Sequence, residues 1–156
     1  MFEYRVTKYD PALRDPTGKY TRDEWTSISD IGRTYQGVVL TPANYRWVED
    51  AYAGTVVAFM REAGVSSLAV VGLMHNPDTS PSYVNGASLG LNEVGEAVRM
   101  MLREELWCQL EGADSFVHVG YDYYMYVGMP AACPKATTLA EKSGLFVEPF
   151  SSPYRT

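Results

Sequence analysis

The stretch that decides the fold is F-V-H-V-G-Y-D-Y-Y-M-Y-V, from Phe116 to Val127. Its alternation has the period of two that a β-strand requires, so we predict one long strand with two different faces. One row is mostly apolar and suits a core: Val117, Val119, Tyr121, Tyr123, Met125 and Val127. The other row is aromatic with polar tips and suits a recognition surface, whose predicted partner-binding residues are His118, Asp122, Tyr124 and Tyr126.

A second strand is predicted just before this stretch. Trp107 to Leu110 has the same β-type composition, and the turn residues Glu111-Gly112-Ala113-Asp114 separate it from Phe116. Two strands joined by a short turn pair in antiparallel fashion. The sequence therefore predicts a hairpin at the centre of a sheet.

Two amphipathic helices are predicted upstream of this hairpin. Thr41-Pro42 is a strong helix start and Gly64 a typical helix end, and the apolar residues between them recur every three or four positions. A second such pattern follows a cap at Asn92 and extends to about Glu105. The inward residues are predicted to be Tyr45, Val48, Tyr52, Val56, Phe59 and Ala63 in the first helix, and Val94, Ala97, Val98, Met101 and Leu102 in the second.

Shorter elements complete the pattern. Phe2 to Tyr9 alternates as a half-buried strand does, and the continuous apolar run Leu68 to Met74 predicts a central strand covered on both faces. The spacing Thr21-x-x-Glu24 matches a capping box and predicts a short helix ending near Gly32. Residues 76–90 are rich in Pro, Ser, Asn and Gly and are predicted to form a long loop.

The chain is expected to end with a third helix, from Lys135 to Ser143, a last strand from Leu145 to Val147, and a polar tail. A hairpin combined with helical crossovers predicts an α+β fold, with a mixed, largely antiparallel sheet and helices packed mainly on one face. The 156 residues fit a single globular domain, 1–156. The other sheet face would be partly open, and the aromatic row would lie on it.

Composition narrows the class of partner. The net charge is −6, so a nucleic-acid backbone would be repelled and a basic protein is the favoured partner. Twelve tyrosines exceed the other aromatic residues combined, and tyrosine is enriched at protein interfaces. The first five residues lack an export signal, and no apolar run is long enough to span a membrane. With two cysteines and no metal-type spacing, we expect a cytoplasmic protein with reduced thiols.

Catalytic chemistry has little support. Cys108 and His118 would oppose each other in a hairpin with a three-residue loop, but a shift of one residue would separate them, and a structural role for Cys108 is favoured. His75 and His118 are the only histidines, and neither has a ligand partner at metal-binding spacing. The glycine pattern Gly86 to Gly90 does not match a P-loop. We therefore predict no catalytic residue, metal or cofactor.

Three short segments resemble those of small bacterial proteins of uncharacterised function: Glu24-Trp25-Thr26-Ser27, Trp107-Cys108 and Gly120 to Tyr126. Some compact acidic proteins of that kind are immunity proteins of toxin systems. The resemblance implies a non-enzymatic antitoxin-like protein that neutralises a basic toxin domain, and it implies no particular site residue. One alternative is a small-molecule-binding domain or enzyme with a pocket near the 76–90 loop, which a cleft lined by His75 and tyrosines would favour. Another is a structural protein that forms a homodimer through residues 122–126.

Overall fold

Helices on one side of an antiparallel sheet make up the protein. The structure, a computed structural model, describes residues 1–78 and 83–155. The strands in these residues are β1 (Phe2–Thr7), β2 (Thr34–Tyr35), β3 (Val38–Val39), β4 (Ser67–His75), β5 (Ser88–Gly90), β6 (Leu106–Glu111), β7 (Phe116–Val119), β8 (Met125–Met129) and β9 (Phe146–Pro149). The helices are α1 (Pro42–Ala63), α2 (Leu91–Leu102) and α3 (Pro134–Lys142).

The main sheet has seven strands in the order β5-β4-β6-β7-β8-β1-β9, and β2 and β3 form a separate small hairpin. Each pairing between the described strands is antiparallel. The predicted α+β class with helices on one face is confirmed, and the sheet is wholly antiparallel in the part of the chain described. None of the described helices has both the length and the hydropathy needed to cross a bilayer.

Helix α1 begins and ends where the sequence predicts. The Thr41 hydroxyl accepts a hydrogen bond from the Asn44 amide at 3.1 Å, and Gly64 ends the helix with a φ of 72°. The apolar stripe faces the sheet and the other helices, with Tyr45, Tyr52, Val56 and Phe59 buried. These large side chains make α1 the main helical contribution to the core.

Helix α2 buries the five residues that its pattern predicts, Val94, Ala97, Val98, Met101 and Leu102. It begins at Leu91, so the predicted cap at Asn92 is wrong. The Glu93 carboxylate instead accepts a hydrogen bond from the Gly90 amide at 3.1 Å. The helix ends at Leu102 and does not reach Glu105, because Glu104 takes a φ of 62° that redirects the chain.

The predicted helix between Thr21 and Gly32 is absent from this described region, apart from a three-residue 3-10 turn at Ile28–Asp30. The capping box does not form because its two side chains have other partners. The Glu24 carboxylate pairs with the Lys8 ammonium at 2.9 Å, and the Thr21 hydroxyl donates to the Leu13 carbonyl. A tertiary ion pair thus replaces the local cap.

Strand β4 confirms the run Leu68 to Met74 as a strand, but the prediction that both faces are covered is wrong. Leu68 and Val70 are buried under the helices, whereas 43% of Val71 and 61% of Met74 is exposed. The strand lies second from the edge of the sheet, beside the three-residue β5. Residues 79–82 of the predicted 76–90 loop lie outside the described residues.

The stretch Phe116 to Val127 is not one strand. It forms β7 and β8, which pair with each other through a turn at Gly120 to Tyr124, called here the 120–124 turn. The register places Val117 opposite Val127 and Val119 opposite Met125, so these four apolar side chains still point into the core. The hairpin between β6 and β7 forms as predicted.

Candidate functional site

The predicted recognition row does not lie on an open surface. His118 and Tyr126 are buried, Tyr124 is half-buried, and Asp122 alone among the four is exposed. The sheet face that carries His118 and Tyr126 is covered by residues Phe150 to Arg155, called here the C-terminal tail. A segment that the sequence presents as a polar tail is therefore part of the packed structure.

The tail contacts this face through side chains and backbone. The Ser152 hydroxyl is hydrogen-bonded to His118 Nδ1 at 2.7 Å, and the side-chain amide of Gln109 donates to the Tyr154 carbonyl at 3.2 Å. The Tyr154 ring packs at 6.1 Å from the His118 ring and at 5.9 Å from the Tyr126 ring. His118 and Tyr126 thus have internal partners in the tail.

Tyr124 also has internal partners. Its hydroxyl accepts a hydrogen bond from Arg14 at 2.7 Å, and the guanidinium groups of Arg14 and Arg5 lie 5.3 Å and 5.6 Å from its ring centre. Cation–π contacts of this kind stabilise a fixed ring position. Tyr124 therefore connects the sheet to the N-terminal loop.

His118 stands between a hydroxyl and a carboxylate. Besides Ser152 on one side, the Glu111 carboxylate lies 2.6 Å from His118 Nε2 on the other. Serine, histidine and carboxylate in this order match the residue types of a hydrolytic triad. However, Ser152 is only 7% exposed, and it lines neither the cleft beside His75 nor the smaller cavity beside Gln109. The hydroxyl is buried against the sheet, so these three groups act as a structural link between the tail and the sheet.

The Cys108 and His118 pair is excluded by the register of the hairpin. His118 lies opposite Gln109, one residue away from the alignment that the pair requires. Cys108 points to the helix-covered face, where it is fully buried, and burial raises the pKa of its thiol to about 11. Cys108 is therefore a protonated packing residue, and both cysteines are free and buried.

The 120–124 turn has an unusual backbone. Asp122 has φ 58° and ψ 35°, and Tyr123 has φ 67°. The Tyr124 amide donates to the Tyr121 carbonyl at 3.1 Å, and the Gly120 amide donates to the Tyr124 carbonyl at 2.7 Å. Two consecutive central residues with positive φ resemble a type I′ turn, which usually contains Asn and Gly. A bulky residue such as tyrosine there costs about 1–2 kcal/mol.

Tyrosine hydroxyls hold this turn in place. The Tyr9 hydroxyl donates to the Asp122 carbonyl at 2.7 Å, and the Tyr52 hydroxyl donates to the Tyr123 carbonyl at 2.6 Å. The Tyr123 hydroxyl donates to the Leu102 carbonyl at 3.0 Å. The turn is thereby bonded to the N-terminal segment, to α1 and to the end of α2, and this support offsets its backbone strain.

Two of these tyrosines, Tyr52 and Tyr123, form an aromatic cluster with Trp25 and Tyr45. The Tyr123 ring lies 5.0 Å from Trp25, 6.4 Å from Tyr45 and 5.8 Å from Tyr52, measured between ring centres. Burial raises the pKa of Tyr45 to about 12 and raises the pKa of Tyr52 and of Tyr123 further. These phenols stay neutral donors at physiological pH. Three of the twelve tyrosines are therefore packing and hydrogen-bonding residues of the interior.

One side of the 120–124 turn borders a cleft of about 620 Å³. The cleft lies at one end of the sheet, between the end of β4, the end of α2, the start of β6 and the turn. Its lining residues are Thr26, Met74, His75, Asn76, Pro77, Met101, Leu102, Glu104, Leu106, Trp107, Val119, Gly120, Tyr121, Asp122, Tyr123 and Tyr154. A cleft of this volume is within the range of ligand-binding pockets.

The cleft combines exposed aromatic surface with negative charge. Tyr121, at the start of the turn, is 85% exposed, and Met74 on the opposite wall is 61% exposed. The Trp107 indole donates to the Val119 carbonyl at 2.8 Å, which fixes its ring. Glu104 and Asp122 supply carboxylates, and no Lys or Arg is among the described lining residues. This lining suits a cationic group that has an apolar stem.

Asp122 is the one predicted partner-binding residue that lines the cleft. His75 and several tyrosines also line it, which is the arrangement that would favour the pocket alternative. Sequence analysis missed Tyr121, because alternation assigned it to the core row, and it missed Tyr154, because the tail looked like an unstructured polar end. Gly120 and Asp122, two residue types that are common in turns, are the signal that would have indicated a turn.

Comparisons with protein-family models, with curated proteins and with solved structures find no match for this chain. Within residues 1–78 and 83–155, no group of three or more His, Cys, Asp or Glu side chains is placed to hold a metal ion. The cleft itself therefore supplies the observations on which a function can be proposed.

The strain at Asp122 leads to a first prediction. Asp122→Val should lower the free energy of unfolding by about 1–2 kcal/mol, because a β-branched side chain strongly disfavours positive φ. Asp122→Gly should leave it within about 0.5 kcal/mol, since glycine accepts this backbone although it adds freedom to the unfolded chain. Both variants lose the same carboxylate, so urea unfolding separates backbone strain from charge. Equal losses in the two variants would assign the effect to the carboxylate.

Proposed function

We propose that this protein is a non-enzymatic binding protein of the immunity type, which receives a basic segment of a partner protein in the cleft. One observation carries the proposal: a strained, internally supported turn presents Tyr121 and Asp122 at the border of an acidic aromatic cleft. Strained backbone that the surrounding structure holds in place is concentrated at functional sites.

Charge supports a basic partner. The chain has a net charge of −6, and two of its carboxylates, those of Glu104 and Asp122, belong to the cleft lining. A negative field increases the rate at which a positively charged protein associates. Tyr121 would then supply a large contact area at a small loss of conformational entropy, because its side chain has few rotatable bonds.

The placement of the reactive side chains supports binding over turnover. Cys108 is buried on the helix-covered face, and His118 is buried under the tail. His75 lines the cleft, where its Nδ1 is hydrogen-bonded to the carbonyl of the next residue at 3.0 Å. A nucleophile paired with a base is not found among the described lining residues, whereas aromatic and acidic groups suited to recognition are.

If the partner is a toxin, the cleft would inhibit it by competing with the toxin's own substrate. Toxins that act on nucleic acid or other anions use Lys and Arg to bind their substrate, and an acidic cleft that takes up one of these side chains would compete with that substrate. Two free, buried cysteines are consistent with a reducing location, and the proposed site of action is the cytoplasm.

A second candidate is a small cationic molecule as the ligand. It is favoured by the cleft's lining of His75 together with Tyr121, Tyr123 and Tyr154. The chemistry recognised is the same, a positive group with an apolar stem, and the source of that group differs. A purified protein that retains a small molecule in native mass spectrometry would favour this candidate.

Capture of the partner tests the proposal. Tyr121→Ala should weaken binding of the co-purifying protein by at least about 30-fold, because an aromatic side chain at the centre of an interface typically contributes about 2 kcal/mol or more. Trp47→Ala is the matched control, since Trp47 is an aromatic residue on α1, 68% exposed and outside the cleft lining. Titration calorimetry with the partner identified by mass spectrometry measures both.

Two results would count against the proposal. Equal affinity of the Tyr121→Ala and wild-type proteins for the partner would remove the cleft from the interface. A concentration-dependent dimer in sedimentation, disrupted by substitutions between residues 122 and 126, would instead support the self-association alternative. Co-expression adds a functional measurement, in which Tyr121→Ala should protect cells from the partner less well than Trp47→Ala.

A further inference from the structure

We infer that Tyr154 is a residue of the cleft that contacts the cationic ligand, and that His118 and Ser152 position it there. This inference rests on the proposed function and specifies the ligand group as a guanidinium or alkylammonium side chain. Tyr154 is the one residue of the C-terminal tail among the described cleft-lining residues. The tail thereby contributes directly to the site.

Tyr154 forms an aromatic corner with Trp107. The two ring centres lie 6.2 Å apart and the ring planes meet at 62°, so each ring presents a surface in a different direction. Trp107 cannot turn freely, because its indole N–H is bonded to the Val119 carbonyl. With the carboxylates of Glu104 and Asp122 in the same cleft, the corner offers a cation both π surface and opposite charge.

A chain of contacts fixes Tyr154 from the far side. Its amide donates to the Ser152 hydroxyl at 3.2 Å, and that hydroxyl is bonded to His118 Nδ1. His118 is in turn held by Glu111. Neither Ser152 nor His118 lines the cleft, so their effect on a ligand must pass through the position of Tyr154.

The close approach of Gly120 is independent evidence that the Tyr154 ring has a defined position. A Cβ atom on Gly120 would lie 2.7 Å from the Tyr154 hydroxyl oxygen and 3.1 Å from its ring. The backbone of Gly120, with φ −93° and ψ −160°, is extended and open to any residue, so space and not conformation requires glycine. The turn and the tail are therefore in close contact at the cleft.

The test uses N-acetyl-arginine methylamide as the probe and follows the Trp107 indole N–H by NMR. Tyr154→Ala should weaken probe binding by about 5- to 30-fold, since it removes one of the two ring surfaces. Tyr154→Phe should rescue most of the affinity, because the hydroxyl makes no hydrogen bond among the described residues. Trp47→Ala, outside the cleft, should bind the probe as the wild type does.

Positioning is tested separately with Ser152→Ala and Gly120→Ala. Both should weaken probe binding by about 3-fold or more, and Ser152→Ala should also speed hydrogen exchange of the Tyr154 amide. A purely structural role for Ser152 would change the exchange without changing the affinity, and that result would overturn the positioning role. Unchanged affinity in Tyr154→Ala, or no probe binding by the wild type, would overturn the ligand assignment. Capture of the partner through Tyr121 would remain a separate result.

Discussion

Tyr123→Ala should lower the free energy of unfolding by about 3–5 kcal/mol, the range for removing a large buried aromatic side chain. Tyr123 is 3% exposed, and its ring contacts Trp25, Tyr45 and Tyr52. Its hydroxyl also pairs with the Leu102 carbonyl, which would lose a partner. Urea unfolding measures the change.

Tyr123→Phe is the companion variant, and it should cost about 1–2 kcal/mol, because it removes only the hydroxyl. The Tyr45 hydroxyl, 3.0 Å from that of Tyr123, would also lose one of its partners. If Tyr123→Ala were no more harmful than Tyr123→Phe, the aromatic cluster would contribute little, and another element would have to support the 120–124 turn.

Replacing Glu49 by leucine should destabilise the protein by about 3 kcal/mol, because it leaves two arginines without their buried partner. Glu49 is fully buried on α1, and its carboxylate pairs with Arg99 at 3.1 Å and with Arg103, both on or just after α2. The arginines are partly exposed, which places the cost at the lower end of the range for broken buried pairs. Thermal and urea unfolding measure it.

Asp50→Ala is the matched control for Glu49. Asp50 is the next residue on α1 and pairs with the same Arg99, but its side chain is 54% exposed, so its loss should cost at most about 1 kcal/mol. Similar losses of unfolding free energy in both variants would show that burial does not determine how much each ion pair contributes to stability.

The contribution of Glu49 should also depend on pH. Burial opposes its ionisation, but hydrogen bonds from Arg103, Tyr45 and Arg99 outweigh burial and keep the pKa of its carboxyl below the ordinary value. A pKa lowered by folding stabilises the protein above the unfolded-state pKa, and this stabilisation is lost as the pH falls through the folded-state pKa. The stability difference between wild type and Glu49→Leu should therefore shrink below about pH 4.

The helices were predictable because their signals are local. Thr41, Pro42 and Gly64 define α1 through caps that need no distant partner, and the buried residues of α2 follow from helical spacing alone. The capping-box pattern at Thr21 to Glu24 is equally local, but no capping box forms because the Glu24 carboxylate pairs with Lys8. A local signal thus predicts structure only when no tertiary contact competes for the same side chain.

The break in the stretch from Phe116 to Val127 could not be predicted from alternation. Val117 and Val119 have the same parity as Met125 and Val127, and the hairpin register also puts these pairs on one face. A straight strand and this hairpin therefore produce the same pattern. The turn has Asp122 and Tyr123 at positions where Asn and Gly are usual, and distant hydroxyls from Tyr9 and Tyr52 stabilise it.

The candidate site was predicted only in part for a similar reason. The cleft combines residues near His75, residues of the turn and Tyr154, which are far apart in the sequence. His118 and Tyr126 are covered because the C-terminal tail folds over them. The position of the tail cannot be predicted from the periodicity of a strand. Asp122 was predicted from its place in the polar row of a supposed strand, and it is exposed for a different reason, because it lies in the turn.

The position of β1 has a consequence for how the protein is made. This first strand pairs with β8 on one side and β9 on the other, and Phe2 lies opposite Met129. During synthesis β1 leaves the ribosome long before β8 and β9 have been translated. The strand therefore has no pairing partner, and its apolar residues stay exposed, during most of translation. Contacts of such high sequence separation slow folding. Expression at lower temperature, or with chaperones that shield nascent chains, should therefore increase the yield of folded protein.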